Sequence, residues 1–330
     1  MIASDAGLDQ VNGVATTLRQ TIDVLESDGH VVQFVSPKDF PNFAFPLYPD
    51  VRLPLSTLRL GKMIESFAPD ALHIAVEGPL GLTARNYCVG RNIPFTTAYH
   101  TDFPSYLATM AHIPKKLSWR YLRWFHRASS SVLVSTQSIA DELHEQNIMH
   151  TTEWTRGVDL TQFYPVSRLP NPRPIFLYVG RISREKNIEA FLSTKLPFEC
   201  EYHIVGDGPL LNELKARFPE AMFHGKASGK ALADHYRCAD VFVFPSRSDT
   251  FGLVMIEAMA CGVPVAAYPV KGPVDVVGRG GVLDNNLGRA MEDALSLPTQ
   301  EALRQASQFT WRRATDQFIA ALTPITNIAD

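Results

Sequence analysis

Short apolar runs alternate with helix-like patterns along most of the 330-residue chain. Runs rich in β-branched and aromatic residues, each closed by turn-forming residues, predict buried strands. These predicted strands span 30–36, 71–76, 94–100, 130–136, 175–180, 201–208, 240–246 and 264–270. Amphipathic stretches such as 13–29 lie between them. This alternation is typical of an α/β protein in which a parallel sheet is covered by helices on both faces.

A proline-rich segment interrupts the alternation at 164–175, where four prolines and little apolar periodicity predict a linker. The chain is also too long for one ordinary hydrophobic core. We therefore predict two doubly wound Rossmann-like domains, 1–165 and 166–310. The last amphipathic segment, 311–330, is a candidate to pack back onto the first domain. Ligands of such folds bind beyond the carboxyl ends of the strands, so we expect the site in a central cleft between the domains.

Composition and charge narrow the class of protein. The net charge of −3 gives no electrostatic reason to expect nucleic acid. The four cysteines form no C-x-x-C pair, which favours reduced thiols over zinc or disulfides. No cluster of His, Asp or Glu has metal-ligand spacing, and no apolar run is long enough to span a bilayer. The first residues, MIASDAG, lack the features of a secretory signal, so we expect a cytoplasmic location.

The stretch 246–265 places two carboxylates, Asp249 and Glu257, in a mostly small and apolar segment. It follows a predicted strand, and a helix is expected from near Phe251 to about Cys261. A helix amino end attracts phosphate or sugar oxygens, and Gly252 allows a ligand close to the backbone. Carboxylates are good acceptors for pairs of hydroxyls. The alternatives are that Asp249 is an N-cap and Glu257 a solvated helix residue.

Two cations follow the predicted strand that ends at Gly180. Arg181 and Lys186 suit a diphosphate, which arginine grips with two donors and lysine meets as a point charge. The alternative is ordinary surface charge, with Glu185 and Glu189 as local partners. The glycines of 205–209, VGDGP, either face a nucleobase or only turn the chain.

Two further candidates precede the linker. Gly13 follows Asn12 at the start of the first predicted helix, where its backbone N–H suits a phosphate; a plain tight turn is the alternative. His100 ends a predicted strand and suits a sugar hydroxyl or acid–base work, although a lone histidine is more often structural. No G-x-G-x-x-G loop is present, which argues against a hydride-transferring dehydrogenase.

Taken together, these stretches resemble the retaining nucleotide-sugar glycosyltransferases of family 4, which have the two-domain GT-B fold. The motifs VNGV, YHTDF, TRGVDLTQFYP, YVGRISREKNIE, IVGDGP, ADVFVFPSRSDTFGLVMIEAMACGVPV and FTWRRATDQF occur in the family's order over nearly the whole chain. This chain carries Asp249 where the family's E-x7-E motif has its first glutamate. The change keeps the carboxylate and removes one methylene. The DTFG version resembles the branch of lipid-acting mannosyl, glucosyl and sulfoquinovosyl transferases.

The resemblance implies a role for each candidate. Glu257 would receive the ribose hydroxyls of a UDP- or GDP-sugar, and Arg181 and Lys186 would hold its diphosphate with Gly13 close by. His100 and Asp249 would contact the transferred sugar. Asp249 would act there with four backbone neighbours, Thr250, Phe251, Gly252 and Leu253. Such enzymes need no cofactor and no metal, and the leaving phosphate itself is thought to help take the acceptor's proton.

The segment 113–130 mixes five cations with aromatic residues on one predicted amphipathic helix. This mixture suits an anionic membrane surface. The alternative is a helix with inward aromatic residues and solvated cations. In this family the first domain binds the acceptor, so we expect a glycolipid or membrane lipid acceptor and a peripheral position on the inner face of the membrane. Two rival functions remain: a sugar-nucleotide epimerase of the same fold, and a non-catalytic sugar-nucleotide-binding protein.

Overall fold

The computed structural model describes residues 1–10, 12–45, 48–105, 108 and 112–326, with the backbone alone for residues 45 and 48–51. The chain forms two compact units. The first contains Met1–Thr155 together with Trp311–Asp330, and the second contains Arg156–Thr310.

The first unit is built on a parallel six-stranded sheet of order β2-β1-β5-β6-β7-β8, with a separate antiparallel hairpin of β3 and β4. The strands are β1 Ile2–Ala3, β2 Phe34–Val35, β3 Asn42–Phe45, β4 Tyr48–Pro54, β5 His73–Ile74, β6 Thr96–Tyr99, β7 Val132–Val134 and β8 Thr151–Glu153. The helices are α1 Gly13–Ser27, α2 Leu60–Phe67, α3 Pro79–Gly90, α4 Lys115–His126, α5 Gln137–Glu145 and, after the second unit, α13 Trp311–Ala321.

The second unit has a parallel sheet of order β11-β10-β9-β12-β13-β14, the strand order of a Rossmann fold. Its strands are β9 Ile175–Val179, β10 Glu201–Val205, β11 Met222–Gly225, β12 Val241–Phe244, β13 Val265–Ala267 and β14 Gly281–Leu283. Its helices are α6 Ile188–Leu192, α7 Leu211–Arg217, α8 Gly229–Cys238, α9 Leu253–Ala260, α10 Pro273–Val276, α11 Leu287–Ala294 and α12 Thr299–Ala306.

The second sheet is buried on both faces, as its continuous apolar strands require. Along β9, Phe176 and Tyr178 contribute to one hydrophobic cluster, while Leu177 and Val179 contribute to the cluster on the opposite face. Successive side chains of a strand point to opposite faces, so a strand covered on both sides reads as an unbroken apolar run.

All eight strands predicted from apolar runs are present, each shorter than its run. The sequence did not reveal β8, β11, β14 or the β3–β4 hairpin. The burial patterns of β8, β11 and β14 contain no fully buried residue, so these strands lack an apolar run to mark them.

The boundary predicted at residue 165 lies too late. The chain already joins the second unit at Arg156. Val158 and Phe163 pack in the core of the second unit, and the Arg237 guanidinium donates to the backbone oxygens of Gln162 and Tyr164. The proline-rich segment is also fastened there, because Asp240 accepts hydrogen bonds from the side chains of Arg168 and Asn171.

Candidate functional site

The strand order of the second unit reverses between β9 and β12. Loops that follow the two strands on either side of such a reversal diverge and leave a crevice at the carboxyl edge of the sheet, where α/β folds bind ligands. The loop 180–187 follows β9 and the loop 245–252 follows β12. The candidate residues Arg181, Lys186 and Asp249 therefore belong to the two loops at this reversal.

Lys186 and Asp249 form an ion pair across these loops. The Lys186 ammonium donates to Asp249 Oδ1 over 2.5 Å, and both side chains are mostly buried. Asp249 Oδ2 is also buried and has no hydrogen-bond partner among the described residues. Glu185 instead accepts from the Ser183 hydroxyl and Glu189 pairs with Arg217, so the interpretation of Lys186 as surface charge with those local partners is wrong.

The structure excludes an N-cap role for Asp249. Helix α9 begins at Leu253, and its N-cap is Gly252, which has a φ of 85° and provides no side chain for capping. Phe251 is buried against Phe309 with ring centroids 5.7 Å apart, which anchors the loop. A Cβ on Gly272 would lie 2.9 Å from Asp249 O, so this glycine lets a second loop pack close behind the first.

Glu257 lies on α9 and is not a solvated helix residue. Its Oε2 accepts a 2.9 Å hydrogen bond from the Tyr236 hydroxyl of α8. Burial raises the pKa of Glu257 from the usual 4.5 to about 7, and the Tyr236 bond opposes that rise. Tyr236 itself is fully buried. The role of Tyr236 could not be predicted from the sequence, because a tyrosine in an amphipathic helix carries no signal of its partner.

Arg181 is exposed at the end of β9, and its position depends on glycines of the neighbouring loop. A Cβ on Gly206 would lie only 1.8 Å from Gly180 O, and one on Gly208 only 2.3 Å from Ile182 O. The two loops are joined by backbone bonds, including Ile182 N to Asp207 O at 2.9 Å. The VGDGP segment therefore has a structural role as a backbone support for the 180–182 loop.

In the first unit, Gly13 is the first residue of α1, and Asn12 caps that helix by accepting from Ala15 N at 2.9 Å. His100 follows β6, as predicted. Its ring meets the Trp154 ring edge to face, with centroids 5.4 Å apart. The two halves of the candidate set thus belong to different units, with Gly13 and His100 in the first and the others in the second.

Helix α4 shows parts of both interpretations of the 113–130 segment. Trp119, Leu122 and Phe125 are buried. Lys115, Lys116, Arg120 and Arg127 are exposed. Two apolar side chains also lie on the outside of this helix, Leu117 at 56% and Trp124 at 43% exposure. Cations and apolar side chains therefore share its outer face.

Two further features, a metal-binding cluster and a membrane-spanning helix, are absent from the part of the chain that the structure describes. Within the described ranges, no three or more His, Cys, Asp or Glu side chains are grouped to hold a metal ion. In the same ranges, no helix has the length and apolar character needed to cross a membrane.

Two family models match the chain. Residues 11–162 match the model described as Glycosyltransferase Family 4, and residues 173–297 match the model of Glycosyl transferases group 1. These two matches divide the chain at nearly the same place as the two compact units.

Curated relatives and a solved structure agree with the models. A GDP-mannose-dependent alpha-mannosyltransferase of Mycolicibacterium smegmatis is 30% identical, with 84% of this chain and 81% of that protein covered. An alpha-monoglucosyldiacylglycerol synthase of Streptococcus pneumoniae is 26% identical, with 80% and 70% covered. The structure of sucrose-phosphate synthase from Thermosynechococcus elongatus superposes with a TM-score of 0.76, at 22% identity and with 97% of both chains covered.

These findings favour a transferase over an epimerase or a non-catalytic binding protein. The chain belongs to the family 4, group 1 glycosyltransferases, has the GT-B fold of two Rossmann-like units, and is a nucleotide-sugar glycosyltransferase of the branch that contains lipid-acting enzymes.

Proposed function

We propose that the chain transfers a hexose of the mannose or glucose type from a UDP- or GDP-sugar to a hydroxyl of a glycolipid or membrane lipid, with retention of the anomeric configuration. One observation carries this proposal: the buried Asp249 Oδ2 without a partner, beside the Lys186 ammonium at the strand-order reversal. A buried acceptor costs free energy unless it receives a hydrogen bond. A hydroxyl of the donor sugar supplies such a hydrogen bond. The neighbouring Lys186 ammonium provides a positive charge that suits the donor's phosphate.

The donor roles follow from chemistry at each residue. Lys186 and Arg181 neutralise the diphosphate that leaves, so no metal or other cofactor is required in this proposal. Asp249 and the backbone of Thr250, Phe251, Gly252 and Leu253 receive the hexose. Glu257 accepts the two ribose hydroxyls on its carboxylate while Tyr236 holds one of its oxygens.

The first unit is proposed to supply the remaining contacts. His100 contacts the transferred hexose, and the backbone at Gly13 donates to the diphosphate at the start of α1. No pair of carboxylates of the glycosidase type is assigned, because the leaving phosphate oxygen takes the acceptor's proton in this mechanism. Retention then follows if the acceptor attacks from the side that the phosphate leaves.

The lipid acceptor is supported by two observations. One relative is named for a glucosyldiacylglycerol product, and the outer face of α4 combines cations with exposed Leu117 and Trp124. Cations attract anionic headgroups while apolar side chains enter the interface, so both features favour a peripheral position on a membrane.

A transfer assay tests the proposal. The protein is incubated with GDP-mannose or UDP-glucose and vesicles of phosphatidylglycerol and diacylglycerol, and the product's anomeric linkage is determined by NMR. We expect an α-linked glycolipid from one of these α-donors. Asp249→Asn, which keeps the side-chain shape, should lose most of the transfer. A β-linked product would exclude retention, and release of the nucleotide without any glycolipid product would exclude the lipid acceptor.

A further inference from the structure

We propose that Trp154 and Phe318 are positioning residues for His100, so that the C-terminal helix α13 takes part in the transfer reaction through them. This inference rests on the contact proposed above between His100 and the transferred hexose. It concerns three residues that are far apart in sequence and that all belong to the first unit.

The buried side chain of Trp154 packs against the His100 ring. It directly follows β8, its side chain has no solvent exposure, and it is among the largest fully buried side chains of the molecule. The His100 and Trp154 ring centroids are 5.4 Å apart at an interplanar angle of 65°. An aromatic contact of this kind restricts the rotamers of the imidazole, because a close-packed indole in the core cannot move aside.

Helix α13 holds Trp154 from the opposite direction. The Phe318 ring lies 4.9 Å from the Trp154 ring and 5.0 Å from the ring of His73. The preceding residue, Gln317, accepts hydrogen bonds from both the backbone N–H and the hydroxyl of Thr155, each 2.9 Å long. Two consecutive residues of α13 therefore fix two consecutive residues of the chain after β8.

The helix is itself anchored to the first unit. The Arg312 guanidinium donates to both carboxylate oxygens of Asp28, the residue that caps the end of α1. A shortened side chain at Phe318 would leave a cavity into which Trp154 can move, and His100 would lose its fixed neighbour. Displacement of a reacting contact by about 1 Å can cost about 100-fold in rate.

Steady-state kinetics in a double-mutant cycle test the inference. Phe318→Leu should lower kcat about tenfold or more and leave the KM for the nucleotide sugar within about twofold, because the donor contacts of the second unit are intact. Phe318→Leu added to His100→Ala should have little further effect, since its action passes through His100. Trp154→Phe should resemble Phe318→Leu, since either change leaves space beside the ring that packs on His100.

A matched variant separates positioning from loss of stability. Phe40 is also buried in the first unit, at 4% exposure, so Phe40→Leu makes a comparable cavity. We expect it to leave kcat near the wild-type value. The inference is overturned if Phe318→Leu leaves kcat unchanged, or if its effect in the cycle is additive with that of His100→Ala. If His100→Ala itself retains full activity, the role proposed for His100 is wrong and the inference falls with it.

Discussion

Asp249 is the residue at which this chain departs from the E-x7-E pattern, and its contacts show that the departure is compatible with a built site. The shorter side chain keeps a carboxylate that meets the Lys186 ammonium on one oxygen and leaves the other oxygen buried. A decayed site would be expected to leave such a lysine exposed. Charge balance between the two residues also keeps the ammonium in place within a mostly buried environment.

Glu257 provides a prediction for pH dependence. A carboxylate can accept two ribose hydroxyls, whereas the protonated form loses part of that capacity. The pKa of Glu257 is raised to about 7, so the folded state holds this proton more tightly than the unfolded state. As pH rises through 7 the carboxyl ionises, and donor affinity should increase. If only the ionised form binds, affinity should fall about tenfold from pH 8 to pH 6.

Calorimetric titration with a nucleotide sugar checks this dependence. Both phosphates of a nucleotide sugar are esterified, so the ligand's own charge is constant over this range. Glu257→Gln should bind more weakly at pH 8 and should lose most of the pH dependence. An unchanged pH profile in Glu257→Gln would assign the titration to another group.

At the scale of elements, the close approach of the loops that follow β9 and β10 depends on Gly206. Gly206→Ala would put a Cβ 1.8 Å from Gly180 O and displace the 180–182 loop. We expect it to destabilise the fold by about 3 kcal/mol and to weaken nucleotide binding. Chemical unfolding and calorimetry measure the two effects.

Gly29→Ala is the matched control for this clash. Gly29 also has a positive φ, of 86°, but a Cβ there would meet nothing within 4 Å. Its cost should be about 1 kcal/mol, from the backbone conformation alone, with no change in nucleotide affinity. Equal losses of stability in the two variants would refute the role of close approach at Gly206.

The sequence predicted the buried strands and the helices that carry the candidate residues, because period and turn chemistry are local properties. Helix α1, for example, covers Gly13–Ser27 within the amphipathic stretch 13–29. The Glu257–Tyr236 and Lys186–Asp249 contacts could not be predicted from local pattern. Each joins residues on different elements, and only the packing of those elements brings them together.

At the scale of the whole molecule, the boundary between the units was the weakest prediction. Proline-rich composition predicted a linker at 164–175 and did not indicate that this segment is hydrogen-bonded to the second unit through Asp240. Chain composition describes the intrinsic tendency of a segment and does not reveal its partners. The amphipathic periodicity of the last segment predicts a helix there, but the contact of its Phe318 with Trp154 could not be predicted from the sequence.

We predict that the protein attaches to an anionic membrane through helix α4. Charge reversal of the exposed cations Lys115, Lys116, Arg120 and Arg127 to glutamate should abolish co-sedimentation with phosphatidylglycerol vesicles, since each cation near an anionic surface contributes about 1 kcal/mol. As a control, four exposed cations of the second unit are reversed to glutamate, with the same change in net charge. These are Lys215, Arg279, Arg289 and Arg304.

The control variant should still bind the vesicles. Equal loss in both variants would mean that net charge alone governs the interaction. Unchanged sedimentation of the α4 variant would remove this helix from the membrane contact.

The most direct test of the account is a calorimetric titration of the protein with UDP and with GDP in the presence of EDTA. We predict that one nucleotide binds clearly better, and that Glu257→Ala weakens it about 10- to 100-fold by removing a charged acceptor. Glu292→Ala, at an exposed glutamate of the same unit, should bind as the wild type does. Absence of binding by both nucleotides, or equal affinity in Glu257→Ala, would contradict the proposed donor site.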